Sequence, residues 1–131
     1  MKLLLDTNII IWLLAGDERI NAGVRTLLDQ ADEVRYSAVS LWEIAIKAGN
    51  GKLNLKASTV MGRLEGTFVK PLAVLPQHTL PVQHMPRHHA DPFDRLLIAQ
   101  ATVESFTLIT GDRELQRYDA SGNVIKLIYG L

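Results

Sequence analysis

At 131 residues, 47% of them apolar and 21% charged, the chain has the length and composition of one globular domain, which excludes a disordered protein and leaves too little length for two ordinary cores. Lysine plus arginine and aspartate plus glutamate number 14 each, so the formal charge is zero and the whole-molecule field advertises no polyanionic partner. The absence of cysteine excludes disulfides, thiolate zinc sites and cysteine nucleophiles, and is compatible with a reducing compartment.

The chain opens on Leu3 to Leu5, a short buried strand, followed by a turn at Asp6-Thr7-Asn8 and an apolar helix from Ile9 to Ala15 that stops at Gly16. This start resembles a signal peptide only superficially. Asp6 and Asn8 interrupt the apolar run well short of the roughly 20 residues that a membrane span needs, so a cytoplasmic protein with no membrane association is expected. A second helix covers about Asn21 to Ala31, with Val24, Leu27, Leu28 and Ala31 on one face, and Val34 to Ser37 offers a second strand. Val39 to Ala48 is helical in pattern and closes at Gly49-Asn50-Gly51.

Lys56 to Val69 places Val60, Met61, Leu64 and Phe68 at helical spacing, and Leu72 to Leu75 gives a third strand between prolines. Pro76 to Pro92 is loop with one short helical turn, and Pro92 to Glu104 is a helix. Phe106 to Thr110 reads as a strand, Arg113 to Tyr118 as a helix and Val124 to Ile128 as a last strand. Alternating strands and helices predict an α/β fold with a parallel sheet covered on both faces, because parallel neighbours need crossover connections. No linker, repeat or low-complexity tract interrupts the chain, so one domain over residues 1–131 is expected.

Four acids stand at chemically informative places: Asp6, Glu43, Asp94 and Asp112. Carboxylates scattered in sequence but converging in space are how proteins hold hard divalent cations such as Mg²⁺ for phosphoryl chemistry. Asp6 and Asp112 each follow a strand, where ligands bind in open parallel sheets, yet each also suits an N-cap. Glu43 shares a narrow polar stripe with Ser40 and Lys47, and either faces a metal-lined cleft or makes an i,i+4 pair with Lys47 of about 0.2–0.5 kcal/mol. In Asp91-Pro92-Phe93-Asp94-Arg95, Asp91 is assigned to the cap, which frees Asp94 for metal and Arg95 for a carboxylate or phosphate.

If metal neutralises those four acids, the remaining surface is net basic, which suits a phosphate-bearing substrate. His78, His84, His88 and His89 raise the question of zinc, but Pro81 and Pro86 break the spacing that would align imidazoles; these loop histidines and Arg87 are better placed to touch phosphates. No Gly-rich phosphate loop, Gly-x-Ser-x-Gly elbow or dinucleotide fingerprint is present.

The series Leu4-Leu5-Asp6-Thr7-Asn8, Ser40-Leu41-Trp42-Glu43-Ile44, Asp91 to Ala101 and Thr110-Gly111-Asp112 resembles the PIN-domain ribonucleases, and within them the toxin subunits of VapBC-type toxin-antitoxin pairs. The resemblance runs from Met1 to about Leu127. It implies a three-layer PIN-like fold with a central parallel sheet of about four to five strands between helices. It also implies an acidic quartet that binds Mg²⁺ or Mn²⁺ and hydrolyses RNA, and a cognate VapB-like antitoxin in the active-site groove. By position the quartet is Asp6, Glu43, Asp94 and Asp112, with Thr110 near it and Asn8 a candidate to orient Asp6; the fourth acid varies in the family, and Asp91 lies outside the quartet. A non-catalytic PIN-like binding module, and a phosphatase or receiver-like domain using Asp6 as acceptor, are the alternatives; Asn8 stands where an aspartyl phosphatase needs a second Asp. The apolar content of Ile9 to Leu14 and of the Val60, Met61, Leu64 and Phe68 helix points to a homodimer, and an antitoxin is expected to dock near Trp12 and Trp42.

Overall fold

The computed structural model describes residues 1–86, 91–119 and 121–131. Its frame is one parallel sheet of five strands: β1 (Lys2–Leu5), β2 (Glu33–Ser37), β3 (Lys70–Leu72), β4 (Thr107–Thr110) and β5 (Ile125–Leu127). They lie in the order β3-β2-β1-β4-β5, with β1 central. Leu3 is in register with Val34 on one side and with Thr107 on the other, and the Asp6 amide extends the second ladder by donating to the Ile109 carbonyl at 2.9 Å. The expected α/β class and parallel sheet are thus found.

The helices are α1 (Thr7–Ala15), α2 (Ala22–Gln30), α3 (Ala38–Gly49), α4 (Ala57–Glu65), α5 (Pro76–Thr79) and α6 (Pro92–Glu104), with 3-10 segments at Leu80–His84 and Arg113–Tyr118. Side chains alternate across a strand, so successive leucines of β1 feed two different cores. Leu3 and Leu5 pack with Ile9, Ile10, Val24, Leu28, Ile44, Val60 and Leu64. Leu4 joins Leu97, Ile98, Ala101, Leu108 and Leu115 on the opposite face. The sheet is the middle of three layers, and each fully buried aliphatic side chain contributes about 1.5–3 kcal/mol through removal from water.

Local chemistry sets the helix ends. Asn21 accepts the Val24 amide at 3.0 Å to start α2, and Ser37 accepts that of Val39 at 3.0 Å to start α3. Gly16 ends α1 in the left-handed conformation, at φ 66°, that a side chain would strain.

Four expectations are corrected. The third strand is Lys70–Leu72 rather than Leu72 to Leu75, because pairing with Arg35, Tyr36 and Ser37 fixes it despite Pro71, which an edge strand tolerates. The helix expected over Lys56 to Val69 stops at Glu65 before Gly66; Val60 and Leu64 are buried, while Met61 and Phe68 are 43% and 53% exposed. The segment after Pro76 holds both α5 and a 3-10 turn. Arg113–Tyr118 is 3-10 rather than α-helical. Among the described residues, no helix is long and apolar enough to cross a membrane.

Candidate active site

The chain runs outward from β1 to β2 and β3, then crosses to β4 on the other side of β1. This places a topological switch point between β1 and β4, and the cleft of an open parallel sheet forms beyond the carboxyl ends there. Asp6 and Thr110 mark that edge. A cleft of about 170 Å³ lies over it, lined by Asp6, Thr7, Asn8, Glu43, Lys47, Asp91, Asp94 and Asp112.

Asp6 has extended backbone, as the N-cap of α1, and is 4% exposed. Its Oδ1 accepts the Thr7 amide at 2.7 Å, and its Oδ2 accepts the Thr110 hydroxyl at 2.7 Å. Burial raises its carboxyl above the ordinary aspartate value; those two hydrogen bonds oppose the rise, and the charges of Glu43 and Asp112 add to it. Capping and cleft-lining, set out above as alternatives, therefore coexist in one carboxylate.

Glu43 enters from α3, one turn before Lys47, and is 5% exposed. Lys47 Nζ lies 2.6 Å from Oε2, so the i,i+4 pair exists; Oε1 is buried and has no hydrogen-bond partner among the described residues. The hydrogen bond to Glu43 raises the basicity of Lys47, and the charges of Glu43, Asp91 and Asp94 add to the effect against the opposing influence of burial. α3 is tied to α1 by the Thr7 hydroxyl donating to Ser40 Oγ at 2.9 Å, both buried.

α6 brings Asp91 and Asp94. Asp91 accepts the amides of Phe93 at 2.8 Å and Asp94 at 3.3 Å, as the predicted cap with Pro92 in the first turn. It also lines the cleft, which its assignment to capping alone missed. Asp112 caps the 3-10 segment by accepting the Glu114 amide at 2.9 Å, while its own amide donates to Thr110 Oγ1 at 3.0 Å. Thr110 thus connects two acids through one hydroxyl.

Asn8 and Arg95 are placed differently from Thr110. Asn8 lines the cleft, but the hydrogen bonds that orient Asp6 come from Thr7 and Thr110. Arg95 is absent from the described lining, and its Nη2 donates to the Val82 carbonyl at 3.2 Å. His78 is fully buried: Nδ1 accepts the Leu75 amide at 2.9 Å and Nε2 meets Glu104 Oε1 at 2.8 Å, so both ring nitrogens are engaged in hydrogen bonds. Arg87, His88 and His89 lie outside the described residues. Trp42 is 59% exposed and packs edge-to-face on Phe93 with ring centres 5.1 Å apart, while Trp12 carries the Arg19 guanidinium 3.9 Å above its ring. Sequence reasoning also left Thr7 and Lys47 outside the site; the polar stripe Ser40, Glu43, Lys47 was the signal for Lys47.

Among the described residues no three acidic or imidazole groups already form a coordination sphere; one oxygen of Glu43 is turned to Lys47, and both oxygens of Asp6 accept hydrogen bonds. The donor set nonetheless fits a hard divalent cation. It is all oxygen, it combines two nearly buried carboxylates with three more at the rim, and the buried Glu43 Oε1 lacks a partner among the described residues. A buried acceptor without a donor is costly unless a cation or proton meets it.

A profile of the PIN domain family matches residues 3–121. Ribonuclease VapC22 of Mycobacterium tuberculosis is 28% identical over 118 residues, which cover 88% of this chain and 90% of that protein. The fold is similar to that in DNA-bound VapBC from Salmonella typhimurium, with a TM-score of 0.71 and 18% identity over 98% of each chain. It is also similar to VapBC2 from Rickettsia felis bound to a promoter DNA fragment, at a TM-score of 0.72 and 17% identity over 97% of this chain and 98% of that one. FitAcB from Neisseria gonorrhoeae aligns at 0.60 with 21% identity, covering 98% and 99%.

Proposed function

Because the chain belongs to the PIN domain family, we propose that it is a Mg²⁺-dependent or Mn²⁺-dependent endoribonuclease, the toxin of a type II toxin-antitoxin pair, working as one domain over residues 1–131 in the cytoplasm. The observation that carries this reading is the convergence of Asp6, Glu43, Asp94 and Asp112 on one cleft, with a buried Glu43 oxygen that has no hydrogen-bond partner among the described residues. The likeness to a protein named a ribonuclease supports the substrate class.

Asp6, Glu43, Asp94 and Asp112 are the residues that would hold the cation. When bound, the metal polarises water for attack on the phosphodiester and stabilises the departing oxygen. The chain's own part is to place those carboxylates. Thr110 and the Thr7 amide fix both oxygens of Asp6, the Thr7 to Ser40 bond holds α1 against α3, and the Asp91 cap sets the first turn of α6 from which Asp94 projects. Preorganised oxygens need no rearrangement as charge develops, which is where such sites gain most of their rate. The chain has no cysteine, and no residue of this site is required as a covalent nucleophile in direct attack by water.

The partner in this reading is a VapB-like antitoxin, supported by likeness to chains solved as VapBC complexes. A homodimer is proposed through the surface where Met61 and Phe68 remain exposed; light scattering at tens of micromolar should give twice the chain mass, and a monomer would assign that surface elsewhere. The function is tested by incubating pure protein with RNA. Cleavage in Mg²⁺ or Mn²⁺, leaving 5′-phosphate ends and stopping in EDTA, is expected; undiminished cleavage in chelator would overturn it.

A further inference from the structure

The cleft contains one basic group among its described lining residues, and it stands amid acids. Lys47 lies one turn beyond Glu43 on the same helix face, with Nζ 2.6 Å from Glu43 Oε2. In a helix-surface pair of this spacing both partners ordinarily sit in water. Here Glu43 is 5% exposed, whereas the Lys47 side chain keeps 46% of its surface in solvent. The pair therefore runs from the floor of the cleft to its mouth, and the ammonium is at the outer end. An ammonium has three donors, of which Glu43 takes one.

A nucleic-acid strand entering this cleft meets the carboxylates Asp6, Asp91, Asp94 and Asp112, which repel its phosphates. We propose that Lys47 is a substrate-binding residue: it retains Glu43 through Oε2 and gives its remaining donors to a phosphate of the RNA strand. The inference rests on the ribonuclease reading and adds to it a named phosphate contact. Lys47 does not itself move a proton or form a bond. By engaging only Oε2 it leaves the buried Glu43 Oε1 to face a cation, so one residue serves both the acid and the phosphate.

The test compares Lys47→Gln and Lys47→Arg in an Asp94→Asn background that binds without turning over. Gln retains a donor for Glu43 and removes the charge, which separates the phosphate contact from the support of Glu43. Binding of a labelled single-stranded RNA is measured across a series of KCl concentrations at fixed Mg²⁺. One lost phosphate contact lowers the slope of log affinity against log salt by about 0.7 for a single strand. Lys47→Gln should show that drop with several-fold weaker binding at low salt, alike for all sequences, and Lys47→Arg should keep the parental slope. An unchanged slope in Lys47→Gln, with RNA still bound, would overturn the role of Lys47 and leave the ribonuclease reading standing. No RNA binding by the parental chain would overturn both.

Discussion

The Thr110 hydroxyl donates a 2.7 Å hydrogen bond to Asp6 Oδ2, joining residues 104 positions apart at the ends of neighbouring strands. The Thr110 hydroxyl oxygen in turn accepts the Asp112 amide at 3.0 Å. One small side chain thereby fixes two acids relative to each other, and the energetics of the site can be read from what Asp6 does when it ionises.

Burial holds the Asp6 carboxyl above its ordinary value of 3.8. A folded-state value above the unfolded one means that the folded chain binds more protons, so stability declines as pH rises. The penalty is absent below about pH 3.8 and complete once pH exceeds the folded value. Asp6→Asn should therefore melt higher than the wild-type chain at pH 7, by an amount that shrinks toward pH 4. Added Mg²⁺ should close the gap by stabilising only the wild type. Thermal melts across pH decide this, and a variant less stable than wild type at pH 7 would show that Asp6 is held by net favourable contacts.

Asp6→Asn and Asp94→Asn should each lower kcat by about 10²–10³-fold or more, the scale of losing one preorganised charged group. Residues that act as one unit are not additive. The double variant should fall little below either single one, as read by single-turnover cleavage of RNA. Multiplicative losses would mean that the two acids serve separate steps.

A Cβ on Gly111 would stand 2.7 Å from Trp12 Cζ3 and 2.8 Å from Cη2, so the loop that carries Asp112 passes too close to the indole for any side chain. Gly111→Ala should cost about 1–3 kcal/mol and reduce activity as Trp12 or the loop shifts. Gly62, inside α4 with nothing within 4 Å, is the contrast: Gly62→Ala should stabilise by about 0.5–1 kcal/mol and leave cleavage unchanged. Urea titrations of both variants measure the pair of effects.

An antitoxin that inhibits at this cleft should set an Arg against the carboxylates and apolar residues against the exposed Trp42, which Phe93 supports from the side. Calorimetry should then show weaker antitoxin binding by Asp6→Asn, and competition by Mg²⁺ in the wild type. Equal affinity across both variants and metal concentrations would establish inhibition by steric cover alone.

Much of this was legible in the chain because local rules agreed with one another. Leu3 to Leu5, the Asp91-Pro92 start of α6 and the spacing of Val24, Leu27 and Leu28 in α2 are strong local patterns, and the structure follows them. β3 was misplaced because three residues at a sheet edge are held by pairing to β2, while the more apolar Ala73-Val74-Leu75 carries the stronger local pattern. Within the site, the difficulty was to treat capping and cleft-lining as exclusive. Asp6, Asp91 and Asp112 all accept amides at element starts and still line the cleft, since a carboxylate has two oxygens and a helix start lies at the strand end where ligands bind. Arg95 is a different case: successive residues point to different sides of a helix, so Arg95 donates to the Val82 carbonyl while its neighbour Asp94 lines the cleft.

The span between Asp6 and Thr110 also governs when the cleft comes into being. The edge of β1 toward β4 stays open until residues 107–110 pair with it, so Asp6 and Asp112 meet only when segments about a hundred residues apart in the chain have come together. Closing so long a loop is entropically slow, and it comes after the local elements have formed.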